Sequence, residues 1–320
     1  MAGGLPETDS THLSDLQRSE MIEHYGGVVD SQFAKASIMR RFIRVQPVRG
    51  TDTLINRRVG RTKLQRLTDG VRPEANKTNF GRVSVTVDTT IIARDNRSQL
   101  NEFQTDFNAR AELAQDHGKE LGKFFDEAIL IQAIKGSGQA APTVPDYNGA
   151  FGAGQVRTLG AAGDELDPDL LYTDIAAIIT NQQENDIDTD SSVIFVRPTH
   201  YDVLLNNDKL IDRDFSSSNG DFANGTVKTI KGVPIVMTAR IPTAAITDHY
   251  LGSAYNVSAA EARTVAIVTH PQSLLVGETI PLTSDVWFDK KERQWFIDSF
   301  IAFGAAPRRA DVTGTVRRAA

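Results

Sequence analysis

Residues Gly50 to Ile92 read as two strands joined by a long basic segment that has no means of burying itself. The downstream strand alternates, with Val83, Val85 and Val87 on one side and Ser84, Thr86 and Asp88 on the other. Between the strands runs Arg57-Arg58-Val59-Gly60-Arg61-Thr62-Lys63-Leu64-Gln65-Arg66-Leu67-Thr68-Asp69-Gly70-Val71-Arg72-Pro73, in which single apolar residues are set apart by cations and by Gly or Pro. A two-stranded hairpin alone is marginal in water, so an ordered one here needs contacts from outside itself. The first candidate for that outside surface is another copy of the same chain.

Contact between copies calls for a complement, and the charge distribution contains one. The formal net charge of -6 conceals segregated blocks. From Arg40 to Arg82, Arg40, Arg41, Arg44, Arg49, Arg57, Arg58, Arg61, Lys63, Arg66, Arg72, Lys77 and Arg82 are opposed only by Asp52, Asp69 and Glu74. From Asp164 to Asp190 there is no Lys or Arg, but Asp164, Glu165, Asp167, Asp169, Asp174, Glu184, Asp186, Asp188 and Asp190 are present. Arg57, Arg58, Arg61, Lys63, Arg66 and Arg72 are therefore the expected inter-subunit contacts, with Asp164, Glu165, Asp167 and Asp169 as their acidic complement. Two other readings stand beside this one. The arm could meet nucleic-acid phosphates, although no aromatic residue between Arg44 and Asn79 offers a base a stacking platform. It could also be a solvated charge run.

A chain of 320 residues, 40% hydrophobic and 24% charged, is ordinary for a soluble globular protein and long enough for two cores. The first residues, with Gly3, Gly4, Pro6, Glu7 and Asp9, carry neither a basic nor an apolar leader, and no later run is long enough to span a membrane. The expectation is a cytosolic product without membrane contact. With no cysteine, disulfides, zinc-thiolate sites and thiol nucleophiles are excluded.

Along the chain, residues up to about Lys35 predict a mobile arm with one short helix, Ser14 to His24, ended by Gly26-Gly27. Ser37 to Val48 reads as a basic strand-like run. From Thr105 to Lys135, Phe107, Ala111, Ala114, Gly118, Leu121, Phe125 and Ala128 recur at helical spacing, with Thr105 as N-cap and Gly136 as stop. Such a helix would run roughly 45 Å and act as a spine. Gly118 and Gly122, one turn apart, each weaken it by about 1 kcal/mol relative to Ala and mark a hinge. The Gly/Ala/Pro-rich stretch from Gly136 to Gly163 reads as a subdomain boundary.

Beyond it the pattern is mixed. Asp167-Pro168 opens a helix bearing Leu171, Ile175, Ile178 and Ile179; Val193 to Val196 reads as a central strand; Pro198 starts a helix. Gly225 to Met237 reads as two strands about a turn, and Thr264 to Val268 as another strand. Ile280 to Phe288 and Gln294 to Phe303 form an aromatic-rich hairpin around Asp289-Lys290-Lys291-Glu292, expected to pack on the spine helix.

No reactive constellation emerges. Asp186, Asp188 and Asp190 begin like a calcium loop, but Ser191 stands where the turn glycine is required and Arg197 where the bidentate Glu is required. His12, His24, His117, His200, His249 and His270 show no metal-ligand spacing. Gly149 to Gly154 lacks the strand, helix and Lys-Ser/Thr ending of a phosphate loop. No catalytic residue, cofactor or metal is expected.

In order, an acidic arm, a basic hairpin, a spine helix, a mixed α/β region and a final aromatic hairpin resemble the major capsid protein of tailed bacteriophages, most of all the short-tailed T-seven type. The resemblance is carried by Val59-Gly60-Arg61-Thr62, Arg72-Pro73-Glu74-Ala75-Asn76, Phe125-Asp126-Glu127-Ala128-Ile129-Leu130, Val196-Arg197-Pro198-Thr199-His200-Tyr201, Gly225 to Val236 with Ile241-Pro242, and Gly304-Ala305-Ala306-Pro307-Arg308-Arg309. It extends from about Ile38 onward. It implies an α+β Hong Kong 97-like fold with an N-terminal arm at 1–48, an E-loop at 49–92, a peripheral domain with the spine helix at 93–137, an axial domain at 138–275 and peripheral return strands at 276–320. It further implies a virion protein, assembled in the host cytoplasm, whose hexamers and pentamers tile an icosahedral shell around double-stranded DNA. A scaffolding protein, a portal protein and room for a decoration protein come with that family. An encapsulin-like cargo shell shares the fold and remains the alternative, alongside the nucleic-acid-binding reading.

Overall fold

Tyr25, Val29 and Phe33 recur at every fourth position, and in the computed structural model all three are buried on one side of a helix, α1, spanning Asp15–Ala36. The structure describes residues 15–60, 62, 64–72, 75, 80–98, 109–142, 151–207, 210, 220–221 and 226–320. The chain divides into two units, one from segments 1–38, 90–124 and 280–302, the other from 39–89, 125–279 and 303–320.

In the first unit, α1 runs straight through Gly26-Gly27, where the sequence predicts a stop, and continues to Ala36. Burial of Tyr25 and Val29 against Ala114, Val286 and Ile297 outweighs the about 1 kcal/mol that each helical glycine costs. The spine helix, α3, covers Ala109–Ser137, so Gly136 lies inside its last turn, while the expected cap Thr105 lies outside the described residues. Gly118 meets α1 at close range. A Cβ there would lie 2.5 Å from the Val29 carbonyl oxygen, and one at Gly122 would lie 3.0 Å from the Ala36 Cβ. Strand β4, Ile91–Ser98, pairs antiparallel with β13, Gln294–Pro307, from Ile91↔Ile301 to Ser98↔Gln294. Across that ladder Arg94 grips Asp298 with two bonds of 2.8 and 2.6 Å. The final hairpin, β12 (Leu274–Asp289) with β13, extends beyond both predicted limits, and its Trp287 and Phe296 rings stack at 4.5 Å.

In the second unit, the predicted strand-like run Ser37 to Val48 holds a helical turn, α2 (Met39–Phe42), and only a short strand, β1 (Val45–Pro47). Buried Asp126 draws the turn in by accepting the Met39 N–H, and it also pairs with Arg240. β1 runs parallel to β12 from Val45↔Val276. The latter part of α3 is buried along Phe125, Ala128, Ile129, Ile131 and Ile134, and Phe125 meets Phe303 of β13 at 4.8 Å, as expected of a spine under the aromatic hairpin.

The stretch Gly136 to Gly163 contributes a strand to this unit, β5 (Gln155–Thr158), which makes it part of a sheet as well as a connection. Helix α4 (Pro168–Glu184) starts at Asp167, whose carboxylate accepts the N–H groups of Asp169 and Leu170. After it come β6 (Val193–Val196), α5 (Pro198–Leu204), the short strands β7 (Gly220–Asp221), β8 (Thr226–Val227) and β9 (Thr229–Ile230), then β10 (Val233–Met237). β11 (Thr264–Thr269) and β14 (Gly314–Arg317) complete a six-stranded sheet of order β5-β14-β11-β6-β10-β9. The apolar strand β6 is interior, and Leu171, Ile175, Ile178 and Ile179 of α4 seal one core against it.

Candidate self-association surface

The basic hairpin forms, and its two ends differ sharply. β2 (Thr53–Val59) pairs antiparallel with β3 (Phe80–Thr86) from Thr53↔Thr86 to Val59↔Phe80. At the root, alternation places Val85 and Val87 inward, both buried, and Gly304 lets the strands approach, since a Cβ there would stand 2.8 Å from the Thr86 carbonyl oxygen. Gly277 does the same beneath Val48 and Leu54. Arg58 is turned onto its own unit, donating to the Arg308 carbonyl oxygen and lying 5.4 Å over the Phe151 ring.

Beyond Gly60 the described residues of the segment turn outward. Every described residue from Leu64 to Arg72 is exposed, including Leu64 at 91%, Leu67 at 74% and Val71 at 61%, together with Arg66 and Arg72. Phe80 is 72% exposed at the far end of β3 and Arg57 is exposed on β2. Arg61 and Lys63 lie outside the described residues. A tip carrying this much bare apolar surface is the candidate for self-association.

The acids expected to answer it have local roles. Asp164 accepts the Ala161 N–H at 2.7 Å, Glu165 accepts the Gly163 N–H at 2.9 Å, Asp167 caps α4, and Asp169 accepts from Asn207 at 3.1 Å. They order the turn before α4 while leaving their charge at the surface, beside exposed Leu166 and half-exposed Leu170. Asp186, Asp188 and Asp190 are exposed, and among the described residues no His, Cys, Asp or Glu cluster could hold a metal ion.

One cluster of titratable side chains lies largely inside the first unit. The Tyr25 hydroxyl bonds the Nδ1 of buried His117 at 2.8 Å and the Ser299 Oγ at 3.1 Å, and the His117 Nε2 meets Asp95 at 2.8 Å. Burial pushes the Tyr25 phenol up to about 12, and both Tyr25 and Ser299 are inaccessible to a substrate. This Asp-His-Tyr-Ser chain joins α1, α3, β4 and β13 within one unit and escapes sequence reading, because its members are scattered from position 25 to 299. His249 and His270 accept backbone N–H groups at Nδ1, and burial holds both below the usual histidine range. Among the described residues no helix is long and apolar enough to cross a membrane.

Comparison with known proteins places this geometry in context. Residues 83–317 match the family described as phage capsid protein. The asymmetric unit of the bacteriophage PhiM1 mature capsid is 26% identical, with a TM-score of 0.78 over 88% of this chain and 87% of that one. The capsid of the cyanophage P-SCSP1u, at 16% identity, shares the fold with a TM-score of 0.79 over 89% of this chain and 88% of that one. A virus-like particle from Pyrococcus furiosus shares it more distantly, at 12% identity and a TM-score of 0.56 over 93% and 100%. No curated protein is significantly similar to the chain.

Proposed function

The chain belongs to the phage capsid protein family, and from that premise we propose that each copy completes itself by laying its hairpin tip over a neighbouring subunit of the head shell. It is the major capsid protein of an icosahedral phage head, a structural component of the virion with the α+β Hong Kong 97 fold, and not an enzyme. The observation that carries the proposal is the unbroken exposure from Leu64 to Arg72 on a hairpin whose root is firmly packed. A protein that leaves Leu64 and Leu67 in water as a free subunit gains by covering them in the assembly.

In this reading residues 49–92 are the E-loop, between an N-terminal arm at 1–48 and a spine-bearing peripheral domain at 93–137; residues 138–275 form the axial domain and 276–320 return to the periphery. Arg57, Arg66 and Arg72, with Arg61 and Lys63, meet acids of the neighbour, Asp164, Glu165, Asp167 and Asp169 among them. Arg58 anchors the loop to its own subunit. Hexamers and pentamers build the shell around double-stranded DNA, with a scaffolding protein in assembly, a portal at one vertex, and the short-tailed T-seven type as the nearest architecture. Arg61→Glu with Arg66→Glu is expected to leave a soluble, folded subunit that forms no particles by electron microscopy, and normal shells from that variant contradict the electrostatic part.

Shell enlargement on DNA entry would bend or straighten α3 at Gly118 and Gly122. Gly118 also seats α1, so its replacement disturbs packing as well as bending, whereas Gly122 is less crowded. Gly122→Ala is therefore the cleaner probe. It should slow or block expansion followed by light scattering, and unchanged kinetics would remove the hinge.

A further inference from the structure

The six-stranded sheet of the second unit has two unlike ends. β6 and β10 run parallel, as do β14 and β5, and β11 lies antiparallel between β6 and β14. Register aligns Met237, Val196, Ala266, Val316 and Arg157 across five strands. One step past that row the carboxyl ends of β6 and β14 deliver Arg197, Arg317 and Arg318, and Arg263 precedes β11 at the same edge, its carbonyl oxygen accepting the Arg318 N–H at 3.0 Å. Carboxyl edges of such sheets are where ligands dock in open α/β folds.

Among the described residues these arginines make few side-chain pairings. Among the described residues no carboxylate lies within ion-pair distance of Arg197, Arg263 or Arg318, and the buried Nε atoms of Arg197 and Arg317 have no hydrogen-bond acceptor. His200, 7% exposed beside them, also has an unpartnered Nδ1. Burial lowers Arg197, and the charge of Arg318 lowers it further, so the two cations stand close enough to repel. Of the nearby acids, Glu165 acts on His200, but its carboxylate already serves the Gly163 N–H, and the field of Glu261 reaches Arg317. Unsatisfied buried donors and opposed like charges are a cost that an incoming carboxylate would remove.

The opposite end of the same sheet offers carboxylates. Glu184 and Asp186 line a cavity of about 450 Å³ with Gln155 at the start of β5, which sets the carboxyl end of α4 at the amino ends of β5 and β14. Glu184, Asp186, Asp188 and Asp190 are all exposed there, and Arg309 on the cavity wall is committed to Asp311 at 2.6 Å. The last turn of α4 holds Glu184 and no basic residue, against the preference set by the helix dipole.

We infer that these ends are the two halves of one contact between copies: the arginine edge of one subunit receives the Glu184–Asp190 carboxylates of the next. The contact is heterologous, so it propagates head to tail, and where the rotation between copies closes it makes a ring, as a capsomer needs. It rests on the self-association of the chain but not on the hairpin tip, which uses different residues.

A charge swap in the full-length protein tests it. Arg197→Glu with Arg318→Glu, and separately Glu184→Lys with Asp190→Lys, should each cut the yield of particles in sucrose gradients by about tenfold or more while the circular dichroism spectrum of the subunit is unchanged. The chain carrying all four substitutions should regain particles, and it should sort away from wild-type chains when the two are mixed. Normal yield from either two-residue variant overturns the inference, as does failure of the four-residue chain to recover, and normal shells that package less DNA would assign the arginines to phosphate instead. Should the Arg197 substitution prevent folding, Arg318→Glu against Glu184→Lys gives the same readout from two exposed positions. Loss of particles in the Arg61/Arg66 variant with normal charge-swap rescue would separate the two contacts.

Discussion

The root and the tip of the basic hairpin share one sequence style and have opposite fates. Both interleave apolar with polar or charged residues, yet Val85 and Val87 lie under Gly304 and Arg58 lies on Phe151, while Leu64, Leu67, Arg66 and Arg72 face solvent. The difference lies in what stands opposite. The root has two glycines, Gly277 and Gly304, that let other strands come within contact distance, whereas the described residues from Leu64 to Arg72 are exposed. Folding thus buries the root of the hairpin, and the proposal assigns the exposed tip to assembly.

Substitutions at the root should damage the subunit before they damage the shell. Gly304→Val drives a side chain into the Thr86 carbonyl and the Val85 and Val87 methyl groups, and should cost about 1–3 kcal/mol of stability in urea unfolding. Unfolding at wild-type denaturant concentration would mean that the root is loose and the contrast with the tip false. Arg58→Ala removes a ring contact and a bond to a carbonyl, so a loss of about 1–2 kcal/mol is expected in the same assay. A subunit of normal stability that fails to assemble would instead group Arg58 with the tip.

The smallest effect is a pH dependence confined to the folded body. His200, His249 and His270 lie below their ordinary range because burial opposes their charged forms, with nearby arginines adding to this at His200 and His270. Below about pH 6.5 the unfolded chain binds protons that the folded chain does not, so subunit stability should fall as pH drops and level off below the folded-state values. Thermal midpoints between pH 7.5 and 5 check the direction, and a midpoint that rises on acidification would contradict it. The described residues of the tip contain no histidine and should add nothing to this trend.

The sequence makes visible what depends on periodicity and local chemistry. The alternation of β3, the Asp167-Pro168 start of α4, the interior strand β6 and the spine helix all emerge from such signals. It hides what depends on distant partners. Nothing near Gly26 shows that Ala114 and Ile297 will hold α1 together across two glycines, or that Asp126 will convert a strand-like run into a turn at Met39. The candidate surface divides the same way. The block of cations is evident, but Arg58 differs from Arg66 only once Phe151 and the Arg308 carbonyl are in place. The arginine edge is dispersed over Arg197, Arg263, Arg317 and Arg318 and needs strand register to bring it together.

Amide hydrogen exchange of residues 64–72, measured in free subunits and in assembled shells, tests most directly whether the tip is completed by a neighbour. The account predicts fast exchange in the free subunit and strong protection in the shell, with the root at 53–59 and 80–86 protected in both. Protection of the tip in the free subunit, or its continued fast exchange in the shell, would contradict it.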